Sequence, residues 1–509
     1  MKQKHIFFLG NYINDLLLKI IEFKIVEGLM MEEDSKIGNY KIGDLKDPKK
    51  LNEVLKSDDI YVDLRFTDLL GWQWQHFTVP MREIRSGLES GIGFDGSSIK
   101  GFQGIENSDL LVMPQPETAF TDPFAKDTLV MIGDAYGLQT KKHYSKDSRG
   151  VAKRAAEHLK KIGIGDTAYF GPEAEFFIFD KVAFETKSHE SFYRIYSSEG
   201  RWDGADPTHG YKPMRKEGYF PAPPVDSQQD IRDKMSRNLE KVGIQVERHH
   251  HEVGGAGQAE INIKYSPLLE MSDMMMAYKY IVKNTAVADG KTATFLPKVF
   301  PDDNGSGMHV HFSIWNGKNN LFAGNKYAGL SNEALWAIGG ILEHAHAISA
   351  ISNPTTISYK RLVPGFEAPS NLVYSKSNRS AAIRIPGFSD AAAAKRAEIR
   401  FPDPSCNPYL TFSAILMAAI DGIQRKIDPG KPIEKDIYHL TEEESKGIRT
   451  TPASLEDALA ALEKDHEFLL EGGVFTRDLL DSYIKVKREE IKNVNSQITP
   501  QEFGTYFSV

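Results

Sequence analysis

The chain has 509 residues, a formal net charge of -8 and a single cysteine, Cys406. Apolar residues make up 41% and charged residues 26%, which suits a folded core and excludes a disordered or collagenous chain. One cysteine rules out a disulfide scaffold and any multi-cysteine zinc or iron–sulfur site, and the acidic balance argues against broad nucleic-acid binding, which needs a basic face.

The length sets an expectation of roughly two to four domains. Ile6 to Val26 is apolar-rich, but Asn11, Asn14, Asp15, Lys19, Glu22 and Lys24 interrupt it. A membrane span needs about 20 mostly apolar residues, and a secretory signal needs an unbroken apolar core. Leu9, Ile13, Leu16, Leu17, Ile20 and Phe23 instead recur at helical spacing, so residues 1–35 read as an amphipathic appendix and not a membrane anchor. Translation beginning at Met30 or Met31 is the alternative.

Residues 36–143 form the first expected domain, written in short strands and turns. Ile60 to Phe66 and Leu110 to Met113 are strand-like, and Gly91 to Gly104 reads as a glycine-rich loop. The boundary falls near Tyr144, and residues 144–509 form the second domain. Ser148 to Lys161 is helical, with Val151, Ala155 and Leu159 as its apolar positions. Met271 to Thr285, Ala334 to Ile351 and Tyr409 to Ile427 read as further helices, and the last hundred residues are mostly helical. There is no internal repeat. The fold class expected is α+β.

Two glycine motifs are decoys. Gly91 to Gly96 matches GxGxxG but runs on into more loop, and Gly163 to Ala168 matches GxGxxA but follows a helix and enters a strand. A dinucleotide site needs the opposite order. No P-loop motif occurs.

Four strands carry polar groups on one face, since side chains two apart on a strand point the same way. Glu173 and Glu175 oppose Ala174 and Phe176. His309, His311 and Ser313 oppose Val310 and Phe312. Glu398 and Arg400 oppose Ile399 and Phe401, and Glu260 and Asn262 oppose Ile261 and Ile263. A solvated face more often carries Lys and Thr. Gathered carboxylates and histidines repel unless a cation sits among them, and hard oxygen donors suit Mg²⁺ or Mn²⁺. His249 to Glu252 is not a zinc-hydrolase motif, because HExxH would need His at Gly255. The Gly254 to Gly257 turn lets Glu252 and Glu260 lie on adjacent hairpin strands, and His249 and His251 are discounted as structural. Arg361, Arg379, Arg384, Arg396 and Arg400 fall within 40 residues of one another. Arginine forks beside metals, without a P-loop, point to phosphoryl transfer by electrostatic clamping.

These residues lie in an ordered series that resembles type I glutamine synthetases: Phe94 to Ile99, Phe170 to Glu175, Gly218 to Pro221, His249 to Val253 with Gly257 to Glu260, Asn304 to His309, Lys360 to Glu367, Asn378 to Ser380 and Glu398 to Asp403. The resemblance runs from about residue 40 to the C-terminus. It implies ATP-dependent ligation of ammonia to glutamate through γ-glutamyl phosphate, central to nitrogen assimilation. It implies a small N-terminal β-grasp domain and a catalytic domain with an antiparallel half-barrel flanked by helices.

Carried over by position, Glu175, Glu252 and Glu260 resemble the ligands of one divalent cation, and Glu173, His309 and Glu398 those of a second. Arg379, Arg384 and Arg400 resemble clamps of the phosphates and the transferring group, and His311 and Ser313 adenine-side contacts. Arg361, Arg400, Asn304 and Gly305 resemble glutamate contacts. Asp95, with Ser98 and Tyr219, resembles the ammonium-binding and deprotonating group. Glu367 lies in a flap, placed at Asn353 to Pro369, that would close over the intermediate. The resemblance also implies a cytoplasmic homo-dodecamer of two hexameric rings with active sites shared between subunits. The long Lys181 to Glu217 segment and Gly104 are closer to the bacterial subgroup controlled by adenylylation. Tyr438 is its candidate tyrosine, with an adenylyltransferase or a PII-type protein as the regulatory partner; His439 and Thr441 depart from that pattern. A lysine expected before Glu398 aligns with Ala393. The competing readings are a relative that ligates another amine to glutamate, a catalytically silent relative, and a zinc hydrolase.

Overall fold

The structure, a computed structural model, describes residues 37–202, 210–435, 441 and 446–509. The expected N-terminal helix and Tyr438 lie outside these residues.

The first unit is a five-stranded sheet of β1 (Tyr61–Thr67), β2 (Trp74–Pro80), β3 (Ile92–Asp95), β4 (Asp109–Thr121) and β5 (Thr128–Gly137), in the order β2-β1-β5-β4-β3. β1 and β5 run parallel, from Tyr61 opposite Thr128 to Arg65 opposite Ile132. The other pairs are antiparallel. Helix Met81–Ser90 turns Met81, Ile84 and Gly87 inward, a spacing of three that lines one helix face. A single helix cradled by a mixed sheet is the β-grasp arrangement. Part of the expected Gly91 to Gly104 loop is strand, because Ile92 to Asp95 pair with Asp109 to Val112 along the sheet edge.

The second unit follows helix Ser148–Lys161, whose bounds match the expectation. Its strands are β6 (Thr167–Phe179), β7 (Lys181–Lys187), β8 (Glu190–Tyr196), β9 (Val246–His251), β10 (Gln258–Ile263), β11 (Ser266–Pro267), β12 (Thr292–Thr294), β13 (Met308–Asn316), β14 (Asn319–Asn320), β15 (Asn371–Lys376), β16 (Ala381–Ile385) and β17 (Ala397–Ile399). The main path runs β15-β16-β17-β13-β6-β10-β9, and β7 and β8 form a separate hairpin. Together the two units make an α+β protein: a β-grasp domain and a helix-backed, curled half-barrel.

One sheet face meets the helices. Phe170 stacks on Phe412 with ring centroids 4.9 Å apart, and Phe176 meets Tyr278 edge-on. Helix Leu268–Ala288 is buried on nearly every side, as its lack of a polar stripe demands. Helix Pro408–Arg425 starts at Asn407, whose side chain accepts from the Tyr409 and Leu410 N–H groups, with Pro408 where a helix tolerates it. The expected helix Ala334 to Ile351 is two, Asn332–Glu343 and Ala345–Ser352, bent by 72°. The break lies at buried His344, whose ring is held by Asp421 and Asp465 on either side. Among the described residues no single helix is long and apolar enough to cross a membrane.

Arg149 ties the two units together. Its guanidinium donates to Asp134 on β5 at 2.6 Å and to both carboxylate oxygens of Asp273 at 2.8 and 2.9 Å. Tyr409 also donates to Asp273. Burial without this partnering would be costly for all three charges.

Candidate active site

Strand register assembles the site. Glu175 on β6 lies opposite Glu260 on β10, and Glu260 lies opposite His250 on β9. On the other side of β6, Glu173 lies opposite His309 on β13. His311, two residues on, lies opposite Glu398 on β17, and Glu398 opposite Arg384 on β16. The polar faces expected from the alternation therefore merge into one row across six strands. The opposite face of the same strands is the helix-packed core.

Two clusters result. In one, ligand atoms of Glu173, His309 and Glu398 all lie within 4.8 Å of one another. In the other, those of His250, Glu252 and Glu260 do so. The expectation placed Glu175 in this second group and made no use of His250. Glu175 is a register neighbour of Glu260, but its carboxylate accepts from the Gly307 N–H at 2.9 Å and the Gln258 amide at 3.1 Å. His250 and Gln258 were the groups missed. Each sits two residues from a chosen glutamate, Glu252 or Glu260, so the period-two rule reaches both. His249 and His251 are structural, as expected: His249 pairs with Asp233 and His251 with fully buried Glu199.

The clusters differ electrostatically. Burial, then Glu260, pushes the Glu175 carboxyl up to about 8, against the Gly307 N–H, Arg361 and Arg400. Burial, Glu175 and Glu260 raise Glu252 well above the usual carboxylate range. Burial also opposes ionisation of Glu173 and Glu398, but there the neighbouring histidines and arginines win. His311 and His309 hold Glu173 well below its ordinary value, and His311, Arg400, His309 and Arg384 lower Glu398. Burial, then Arg400, lowers His309, which keeps its ring neutral and able to donate a lone pair.

Arg384 Nε donates to Glu398 at 2.7 Å, and Arg400 grips the other oxygen. Arg400 Nε is buried with no hydrogen-bond partner in the protein. Arg396 Nε donates to His311 Nδ1 at 3.1 Å, so Nε2 carries the His311 proton and donates to Glu173 at 3.1 Å. Beside this pair opens a cavity of about 420 Å³, lined by Tyr169, Arg248, His311, Ser313, Ala393 and Arg396 among others.

Across the row, Asn304 and Gly305 lie in the loop before β13. A Cβ on Gly305 would stand 2.4 Å from the Pro297 carbonyl and 3.0 Å from Arg361, so only glycine fits. Buried Arg361 donates to the carbonyls of Arg400, Phe401 and Pro402. Tyr219 stacks on Phe220 and meets His250 edge-on at 5.7 Å. Arg379 is exposed, and its charge acts on the Tyr219 hydroxyl. Glu367 is exposed with φ +57°, close enough to raise Glu252 further. Within the expected flap Asn353 to Leu362 are largely buried, and Asn353 is fully so, while Pro364, Gly365 and Glu367 are exposed and Val363 and Phe366 half-buried. The structure does not bring Asp95 and Ser98 to these clusters. They hydrogen-bond to each other at 2.9 Å, and Ser97 also donates to Asp95.

The residues fit divalent cations. The Glu175, Glu252 and Glu260 group is buried and mutually repelling, which a cation relieves. The Glu173, His309 and Glu398 group offers two ionised carboxylates and a neutral imidazole.

A positively clamped, carboxylate-lined half-barrel beside an open cavity suits a divalent-metal-dependent enzyme that handles phosphate groups. Residues 145–506 match the glutamine synthetase catalytic-domain model and residues 60–137 its β-grasp-domain model. The chain is 55% identical over 465 residues to a glutamine synthetase of Aquifex aeolicus, covering 91% of this chain and 99% of that one. It is 51% identical over 476 residues to a glutamine synthetase of Neisseria gonorrhoeae, covering 91% and 100%. A cryo-EM structure of the Plasmodium falciparum glutamine synthetase superposes with a TM-score of 0.83 at 31% identity, over 92% of this chain and all of that one. The chain belongs to the glutamine synthetase family. It joins ammonia to glutamate at the expense of ATP, with divalent metal, yielding glutamine, ADP and phosphate.

Proposed function

We propose that the two clusters hold two cations, Mg²⁺ or Mn²⁺, and divide the reaction between them. Glu175, Glu252 and Glu260, with His250 beside them, hold the first, and Glu173, His309 and Glu398 the second. When bound, the cations neutralise phosphate and carboxylate charge. The observation that carries this reading is the single row of side chains from His250 to Arg384, with the cavity at Glu173 and His311 beside it.

In this reading ATP lies in the cavity against His311 and Ser313. Arg384, Arg379 and Arg400 meet the transferring phosphoryl group. Arg361, Arg400, Asn304 and Gly305 hold glutamate. A free carboxylate is a poor electrophile with a poor leaving group, and its conversion to γ-glutamyl phosphate repairs both faults. Ammonia then displaces phosphate. Glu367 covers the intermediate, because water would otherwise hydrolyse it.

Asp95 takes the ammonium proton. Its carboxyl is held below the ordinary aspartate value by the Ser97 and Ser98 hydroxyls and the Ser97 N–H. Its position on the exposed β-grasp face supports delivery to a neighbouring subunit, and with it a dodecamer of two hexameric rings. The long Lys181 to Glu217 segment supports the adenylylation subgroup, with Tyr438 as the acceptor and an adenylyltransferase or PII-type partner. The same reading divides the chain at 1–35, 36–143 and 144–509 and puts the enzyme in the cytoplasm, where its ATP is.

The test is phosphate release and glutamine formation with glutamate, ATP and Mg²⁺, with and without ammonium. Phosphate release should depend on ammonium and match glutamine. Release that ignored ammonium but answered to another amine would overturn the choice of nucleophile.

A further inference from the structure

The exposed flap is fastened by contacts that the scheme above does not use. Residues 363–367 leave the buried helix Ser358–Arg361 and turn through Gly365, φ +89°, and Glu367, φ +57°. A glutamate in left-handed backbone is strained, so something must hold it there. Between these two turns the Phe366 ring carries two ammonium groups against it. Lys298 Nζ is 3.6 Å and Lys216 Nζ 4.0 Å from the ring centroid.

Both lysines are anchored. Buried Lys298 donates to the Asp303 carbonyl at 2.6 Å. Lys216 donates to the Gly365 carbonyl at 3.3 Å, and its own N–H donates to Asp303 Oδ1 at 3.2 Å. Asp303 also accepts from the Asn304 N–H at 2.9 Å and the Gly255 N–H at 3.0 Å. One buried aspartate thus joins the strap that leads to Tyr219, the turn between β9 and β10, and the Asn304–Gly305 loop. The flap closes onto that junction through Phe366.

Two ammonium groups repel, and burial lowers Lys298 to about 8. Asp303 and Asp302 offset part of that repulsion at Lys298, and the face of the aromatic ring lays further negative charge density against both ammonium groups. Such contacts are strong enough to bias a loop and weak enough to open at each turnover.

We propose that Lys216, Lys298 and Phe366 form a cation–π latch that holds the flap closed and so positions Glu367 over the intermediate. All three are positioning residues, and the proposal rests on the flap reading of Glu367. Phe366→Leu keeps an apolar side chain and removes the ring face, while Phe366→Tyr keeps the face. ATP hydrolysed per glutamine made, ammonium KM, ATP KM and thermal midpoint are measured for both, with Lys298→Met and Glu367→Ala alongside. Phe366→Leu and Lys298→Met should raise uncoupled phosphate release on the order of threefold to tenfold and raise ammonium KM, with ATP KM and thermal midpoint unchanged. Phe366→Tyr should stay coupled. If Glu367→Ala leaks while Phe366→Leu stays coupled, the latch is wrong and the flap reading stands. If Phe366→Leu lowers the thermal midpoint and all rates together, the ring is only structural and the latch is wrong. If Glu367→Ala itself stays coupled, the flap reading fails and takes the latch with it.

Discussion

Removing the divalent cation should make proton uptake at the Glu175 cluster measurable. Glu175, Glu252 and Glu260 are all buried, and Glu175 is raised from 4.5 to about 8, by burial first and Glu260 second. Ionising that carboxyl in the metal-free folded protein costs on the order of 5 kcal/mol relative to the unfolded chain. Below pH 4.5 both states hold the proton and this contribution to stability is complete. Between 4.5 and about 8 the unfolded chain releases the proton and the folded protein keeps it, so metal-free stability falls as pH rises. At pH 7 the protonated form of Glu175 therefore prevails in the metal-free protein, and Glu252 is raised in the same direction. A binding cation must expel these protons. We expect about one to two protons released per cation at pH 7, and an affinity that rises about tenfold per pH unit for each. Calorimetric titration of Mg²⁺ or Mn²⁺ into metal-free enzyme, in two buffers of different ionisation enthalpy, counts them. Thermal unfolding should show a larger gain from metal at pH 8 than at pH 6, and Glu175→Gln should lower the proton count by about one. Tight binding with no proton release, or a count that Glu175→Gln leaves unchanged, would refute the reasoning.

Arg149→Met strips the guanidinium from buried Asp273 and leaves buried Asp134 with Lys153 alone, and should cost about 3–5 kcal/mol in denaturant unfolding, whereas a loss under about 1 kcal/mol would mean that Asp273 finds another partner. Gly305→Ala drives a Cβ to 2.4 Å from the Pro297 carbonyl and toward Arg361; glutamate KM should rise at least tenfold with ATP KM little changed, and steady-state kinetics at saturating ammonium separates the two. Tyr438→Phe should leave kcat and all three substrate KM values within about twofold of the parent and abolish labelling by an adenylyltransferase with ATP; loss of basal activity would sink the regulatory assignment.

The strand faces were legible because period-two alternation is local: Ala174, Phe176 and Ile178 must enter the core, so Glu173 and Glu175 must face the other way. Which glutamate meets which histidine was not legible from alternation, because register is a long-range fact. Glu173 meets His309 only when β6 and β13 pair with Met308 opposite Ala174, and slipping one residue would turn the whole row over. The family resemblance supplied these partners instead, and it carried them only as far as its motifs reach. His250 and Gln258 were open to the local rule, each two residues from a chosen glutamate. The Gly91 to Gly104 loop and the Ala334 to Ile351 helix were misjudged in extent for a different reason. β3 is strand because β4 lies alongside it, and the helix breaks where His344 is caught between Asp421 and Asp465. Arg149 makes the same point in the core. In sequence it is a polar residue in the first turn of a helix, and only the approach of β5 and helix Leu268–Ala288 turns it into the charge that two buried aspartates require. Chemistry that repeats along a strand can be read from one strand, and chemistry that needs two elements to meet can be read only from their meeting.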